Sequence, residues 1–357
     1  MAVTLEHPEQ NLTVYPLARR LAPLPDHPVP DWHLTESAPG ETADPHTTVW
    51  LTAQEDDRLQ DWLTRGGAAI VTWQDGPYAM MTCCYQGQRY RLSSLQGALL
   101  PETLAAFLCH GFDLHDALVL ACAWQGEDWP DTLSNYPLLG DYPLSNQAFA
   151  PCPTALGVYP VVPTADWIGK LLALGIRTVQ LRCKHPDAAV VEAEVKQAVA
   201  IARTYDRPDD PVRLFINDHW EIAVACGAYG VHLGQEDLQD ASLDVIRAAG
   251  LRLGVSTHGY FEMLRAHAIR PSYIAMGAVF ATPTKQMPTQ PQGVTKLQHY
   301  VDLMRSHYPL VAIGGISLAE MPMVQQSGVG SIAVVRAVTE ATDLPAAVAA
   351  LQAAMQG

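Results

Sequence analysis

Residues 151–357 predict an α/β fold, a closed barrel of eight parallel strands each followed by a helix. Three observations carry that expectation. Short apolar runs recur at 158–162, 178–181, 212–216, 230–233, 252–255, 273–276, 310–313 and 331–335. Helical stretches lie between them, the alternation that yields parallel strands with crossover helices. Polar or glycine residues follow nearly every run, and a (β/α)8 (TIM) barrel keeps its chemistry at the C-terminal ends of its strands. An open doubly wound sheet is the competitor, but it usually shows fewer units or a glycine-rich first turn.

Residues 1–150 predict a smaller, separate α/β domain. The chain has 357 residues, 48% of them apolar and 17% charged, comfortable for two globular domains. The first 150 residues carry six arginines, no lysine and nineteen acidic residues, a net of −13, against −2 for the remainder. Six of the eight tryptophans also fall there. With its two prolines, 144–154 (LSNQAFAPCPT) reads as the linker. The total charge of −15 argues against nucleic-acid binding. No apolar run is long enough to span a membrane. The N-terminus MAVTLEHPEQ lacks a signal-peptide pattern, and seven cysteines without CxxC spacing suit reduced thiols, so a cytoplasmic protein is expected.

The first domain opens with an acidic, proline-rich segment, 21–45, expected to be irregular. A helix is expected over 51–65, a strand over 67–72, and an antiparallel pair, 78–84 with 88–92, across a Gln-Gly turn. Two helices follow. One covers 101–110 with Pro101 near its first position; the other covers 113–124 with Asp113 as its cap. The stretch 76–124, above all LLPETLAAFLCHGFDLHDALVLACAW, is similar to the C-terminal end of hydroxymethylpyrimidine phosphate kinases of the ribokinase-like fold. Those kinases carry a glycine-rich turn and a Cys before the first of these helices, where backbone N–H groups hold phosphate. The matching residues here are Ser94-Leu95-Gln96-Gly97-Ala98: one glycine is kept, and Ala98 replaces the Cys. A degenerate remnant is expected, one that packs or binds a partner and does not transfer phosphate.

In the barrel, each strand end offers its own groups. After the second strand come Gln180-Leu181-Arg182-Cys183-Lys184. Alternation places Gln180, Arg182 and Lys184 on one side, taken to be the inner one, where two cations need anionic partners. Such a partner could be a ligand or an internal Asp or Glu. Asn217 and Asp218 end the third strand, and Gln235, Glu236 and Asp237 follow the fourth. Parallel strands bring Asp218 and Asp237 to one rim, where two carboxylates suit a magnesium ion that also keeps water and phosphate oxygens. Either residue could instead cap the helix after it.

Ser256, Thr257 and His258 follow the fifth strand, and Ala281-Thr282-Pro283-Thr284-Lys285-Gln286-Met287-Pro288 follows the sixth. The latter has the composition of a loop that closes over a charged ligand. Gly314-Gly315 after the seventh strand and Val335-Arg336 at the end of the eighth sit where barrels commonly hold a phosphate monoester. The alternative there is a pair of tight turns. No HxxxH spacing joins His219, His232 and His258, so metal ligation by them is not expected; His232 is placed to face a ligand ring.

Residues 157–351 resemble the thiamine phosphate synthases. The resemblance rests on TVQLRCK, RLFINDHWEIA, AYGVHLGQEDL, GLRLGVSTHG, RPSYIAMGAVFATPTKQMPTQPQG, YPLVAIGGIS and GVGSIAVVRAV. That family joins a pyrimidine methyl diphosphate to a thiazole phosphate with magnesium, releasing pyrophosphate. By position, the resemblance implies that Gln180, Leu181, Arg182, Cys183, Lys184, Asn217, Ser256 and Lys285 bind the pyrimidine diphosphate. Arg182, Lys184, Lys285 and Ser256 would take part in catalysis, and Asp218 and Asp237 would hold magnesium. Thr282, Pro283, Thr284, Gly315, Val335 and Arg336 would bind the thiazole phosphate; some relatives carry Ser where Arg336 stands.

The residues agree with that chemistry. A diphosphate on a benzylic-type carbon leaves readily once its charge is neutralised, and no Ser–His–Asp or Cys–His arrangement is evident. Two other readings compete: a thiazole tautomerase on the same barrel, and a scaffold or regulatory subunit built on the acidic first domain. The expected partners are small molecules, and a homo-oligomer is compatible with the sequence.

Overall fold

The computed structural model describes residues 4–7, 10–13, 32–97, 99, 101–126, 129–283 and 290–356. The chain divides into two compact units, Met1–Leu144 and Ser145–Gly357. Residues 145–150, placed with the first domain by composition, belong to the second unit. There the Ser145 N–H donates to the Ala268 carbonyl, the Phe149 N–H donates to that of Arg270, and Arg247 lies over the Phe149 ring.

Among the described residues, the first unit is built on one eight-stranded mixed sheet. In chain order its strands are β1 (Thr4–His7), β2 (Gln10–Thr13), β3 (His33–Thr35), β4 (Thr48–Thr52), β5 (Ala68–Asp75), β6 (Tyr78–Tyr85), β7 (Gln88–Ser94) and β8 (Leu138–Leu139). The spatial order is β2-β1-β3-β4-β5-β6-β7-β8; β1, β3, β4 and β5 run parallel, and β5 to β8 antiparallel.

Two expectations are corrected here. The run 51–65 is not one helix. Leu51 and Thr52 end β4, whose β-branched and aromatic residues pair with Ala68–Val71, and the helix spans only Asp57–Thr64. Asp56 caps it by accepting from the Leu59 N–H. Within the segment expected to be irregular, His33–Thr35 forms a buried strand; residues 21–31 of that segment lie outside the described residues. The helices Pro101–Cys109 and Leu114–Ala123 fall where sequence places them, the second capped by Asp113.

The second unit is a closed barrel of eight parallel strands. They are β9 (Gly157–Val162), β10 (Thr178–Leu181), β11 (Arg213–Asn217), β12 (Gly230–Leu233), β13 (Arg252–Thr257), β14 (Tyr273–Met276), β15 (Leu310–Ala312) and β16 (Ser331–Val334). Parallel pairing of β16 with β9 closes the ring. Inward side chains, among them Tyr159, Val161, Phe215, Tyr273, Ala275, Val311 and Ala333, fill the interior as a packed core. Gly254 makes room in it: a Cβ there would lie 2.1 Å from Cζ of Tyr273, its register partner on β14. Among the described residues no helix is long and apolar enough to cross a membrane.

Candidate active site

All eight strands end on one side, and there the barrel opens into a cavity of about 770 Å³. That is within the usual range for small-molecule sites. Gln180, Arg182 and Lys184 line it, whereas Leu181 and Cys183 are buried away from it. Period-two alternation carries on past the end of β10, where the Arg182 N–H still donates to the Val162 carbonyl. Of the five residues, Gln180, Arg182 and Lys184 present side chains to the cavity, and Leu181 and Cys183 pack behind them.

The two cations differ. Lys184 Nζ pairs with Asp218 Oδ2 at 2.6 Å. Arg182 has no such ion pair among the described residues. The internal partner weighed for one cation is therefore present, and the acid that supplies it is one assigned to magnesium.

Asp218 and Asp237 do meet at one rim of the cavity. Neither acts as a helix cap. The helix Trp220–Cys226 begins after His219, without a side-chain cap. Asp237 lies inside the short helix Asp237–Asp240, and its Oδ2 accepts from the Gly234 N–H behind it at 2.8 Å. Asp218 holds a left-handed φ of 62°, uncommon outside glycine and tolerated best by Asp and Asn. Burial, and then the neighbouring Asp218 charge, push the Asp237 carboxyl above the ordinary aspartate value. Two crowded carboxylates relieved by a cation, with space left for water and phosphate oxygens, fit a magnesium ion. Among the described residues no group of three His, Cys, Asp or Glu forms a denser cage.

Asn217 and Ser256 also line the cavity. The Ser256 Oγ lies 2.8 Å from His232 Nε2, and the Ser256 carbonyl accepts from Gln235 Nε2 at 2.7 Å. His232 faces the cavity, as its strand position suggested. His258 is held by Glu262, which accepts from both its backbone N–H and its ring Nδ1.

Across the mouth lie Gly314, Gly315, Val335 and Arg336. Both glycines have positive φ, 102° and 66°. A Cβ on Gly314 would sit 2.4 Å from that of Ala278, and one on Gly315 2.6 Å from the Ala281 carbonyl oxygen. Only glycine fits this turn, and it leaves backbone facing the cavity. Thr282 lines the same side and Pro283 does not. Thr284 and Lys285 lie outside the described residues.

Sequence reasoning gave no role to Tyr159 or Tyr273, whose hydroxyls lie 2.9 Å apart beneath the cavity floor. The available signal was a phenol at an inward position of each of two otherwise apolar strands. Glu236 and Glu340 are also on the lining, the first at the start of the helix Asp237–Asp240 and the second at the end of the helix Arg336–Thr339. Sequence reasoning noted Glu236 at a strand end without a role and did not reach Glu340.

The family described as thiamine monophosphate synthase (TMP-TENI) matches residues 158–338. The thiamine-phosphate synthase of Escherichia coli O157:H7 (strain EC4115 / EHEC) is 56% identical over 203 residues, covering 57% of this chain and 93% of that protein. The thiamine-phosphate synthase of Shigella boydii serotype 18 shows the same identity and coverage. Among solved structures, the thiamine phosphate pyrophosphorylase from Pyrococcus furiosus is 28% identical with a TM-score of 0.49, over 56% of this chain and 96% of that one. Through its barrel, this chain belongs to the thiamine monophosphate synthase family of transferases.

Proposed function

We propose that the barrel joins an aminopyrimidine methyl diphosphate to a thiazole phosphate, plain or carboxylated, giving thiamine monophosphate and pyrophosphate. One observation carries this reading: Arg182, Lys184, Asp218 and Asp237 occupy one rim of a cavity whose other side is the Gly314-Gly315 turn. Two separate places for phosphate charge thus face one another across a space sized for two small substrates.

Arg182 and Lys184 bind the diphosphate, and their charge stabilises the anion that grows as the carbon–oxygen bond breaks. A magnesium ion held by Asp218 and Asp237 would neutralise further charge on the same leaving group. The bonding electrons depart with pyrophosphate, and the aminopyrimidine carries the positive charge left on its methylene carbon. The thiazole nitrogen then forms the new carbon–nitrogen bond with its lone pair, so no side-chain nucleophile is needed. The glycine turn and Val335 hold the thiazole phosphate by backbone groups, with Arg336 adding charge, and fix the two rings for attack. The sequence resemblance adds Lys285 as a further positive charge for the diphosphate.

The test is incubation of the full chain with both substrates and magnesium, following thiamine monophosphate and pyrophosphate together. Equal release of both supports the reading. Isomerisation of a thiazole phosphate without condensation would favour a tautomerase instead. For the first unit, the reading is a ribokinase-like remnant without phosphoryl transfer, supported by Ala98 where those kinases have Cys.

A further inference from the structure

The barrel core buries two phenols at full depth: Tyr159 is 1% exposed and Tyr273 is 0%. Their hydroxyls are joined to the cavity at both ends. Gln180 Nε2 donates to the Tyr159 hydroxyl at 3.2 Å, and the two hydroxyls lie 2.9 Å apart. The Tyr273 hydroxyl lies 2.7 Å from His232 Nδ1, and His232 Nε2 lies 2.8 Å from Ser256 Oγ. The His232 ring stacks on that of Tyr273 at 5.7 Å. Five side chains from β10, β9, β14, β12 and β13 thereby form one line, and Gln180, His232 and Ser256 reach the cavity.

The order of protons along this line follows from what each group can do. An amide nitrogen only donates, so the Tyr159 oxygen accepts from Gln180. The Tyr159 proton then goes to Tyr273, the other partner of that hydroxyl among the described residues. The Tyr273 proton is left for His232 Nδ1. A neutral imidazole that accepts at Nδ1 carries its proton on Nε2, and this one donates to Ser256 Oγ. Burial pushes both phenols above their ordinary value, so each keeps its proton. What remains for the cavity is an acceptor, the Gln180 carbonyl oxygen, and a donor, the Ser256 hydroxyl.

We propose that Tyr159 and Tyr273 are positioning residues that lock His232 as its Nε2–H tautomer and so present an acceptor at Gln180 and a donor at Ser256. The identity of the matching ligand rests on the function proposed above: the ring amine of the aminopyrimidine meets Gln180, and a diphosphate oxygen meets Ser256. A reversed line would offer a donor where the amine needs an acceptor, and buried polar mismatches of that kind are costly.

The experiment is nitrogen-15 NMR of the full chain carrying labelled histidine, without ligand, with the His232 signals identified by their loss in His232→Gln. The expected signature is an unprotonated Nδ1 and a protonated Nε2. In Tyr273→Phe that signature is lost, and KM for the pyrimidine diphosphate rises about tenfold with little change in kcat or in KM for the thiazole phosphate. A protonated Nδ1 in the unaltered protein overturns the proposal, as does a Tyr273→Phe protein that keeps both the signature and the KM. Should Tyr273→Phe fail to fold, the signature of the unaltered protein decides alone. Failure to form thiamine monophosphate would sink the functional reading and leave the tautomer measurement, made without substrate, as the test of the proton order.

Discussion

Lys184 Nζ lies 2.6 Å from Asp218 Oδ2, so a cation assigned to the diphosphate and a carboxylate assigned to the metal neutralise each other at the cavity rim. The lysine side chain is 56% exposed, and ion pairs so open to water contribute little to stability. Both partners can therefore be released at small cost when a diphosphate and its metal arrive, the lysine turning to phosphate oxygens and the aspartate to the ion. Lys184→Ala should change stability by less than about 1 kcal/mol. It should lower kcat/KM for the pyrimidine diphosphate by about 100-fold, the scale of losing one charge-stabilising donor. Thermal denaturation and steady-state kinetics on one preparation check both halves. A large loss of stability with normal kinetics would make the pair structural.

Asp218 offers a second separation of effects. Asn tolerates the left-handed backbone at this position, whereas Ala would add strain. Asp218→Asn should therefore fold normally yet raise the magnesium concentration for half-maximal activity by about tenfold or more. A magnesium titration of initial rates reads this directly, and an unchanged curve would remove Asp218 from the metal site.

The barrel was legible because each buried parallel strand is a short, nearly continuous apolar run, and the polar residue after each run is where function is placed. The pair Asp218 and Asp237 was legible for the same reason: topology alone brings strand ends to one rim. The strand Thr48–Thr52 was not, because its last residues lead straight into an amphipathic segment and helical spacing absorbs them. Nor was the Lys184–Asp218 contact, which depends on how a long, flexible lysine side chain settles. The line through Tyr159 and Tyr273 needs five strands in register, and no local pattern encodes that.

Register also makes Gly254 decisive. A methyl group there would sit 2.1 Å from the Tyr273 ring, a buried side chain with no room to withdraw. Gly254→Ala should destabilise the barrel by about 1–3 kcal/mol, as overpacking of a filled core does. The same displacement would pull the Tyr273 hydroxyl from His232 and raise KM for the pyrimidine diphosphate. Urea denaturation gives the first quantity and kinetics the second; a variant as stable as the parent would mean that the core yields more than its packing implies.

The last prediction concerns pH. His267 Nδ1 lies 2.8 Å from the Tyr308 hydroxyl, and burial, followed by the nearby His307 and Arg270, lowers its pKa from the ordinary histidine value. The unfolded chain therefore binds this proton more readily than the folded one. The stability involved is fully present above about pH 6.5 and is lost as the pH falls from there through the lower folded-state value. His267→Gln cannot take up the proton, so its urea midpoint should fall less between about pH 7.5 and about pH 5.5 than that of the parent. Equal falls in the two proteins would assign the acid sensitivity to other groups and remove His267 from the account.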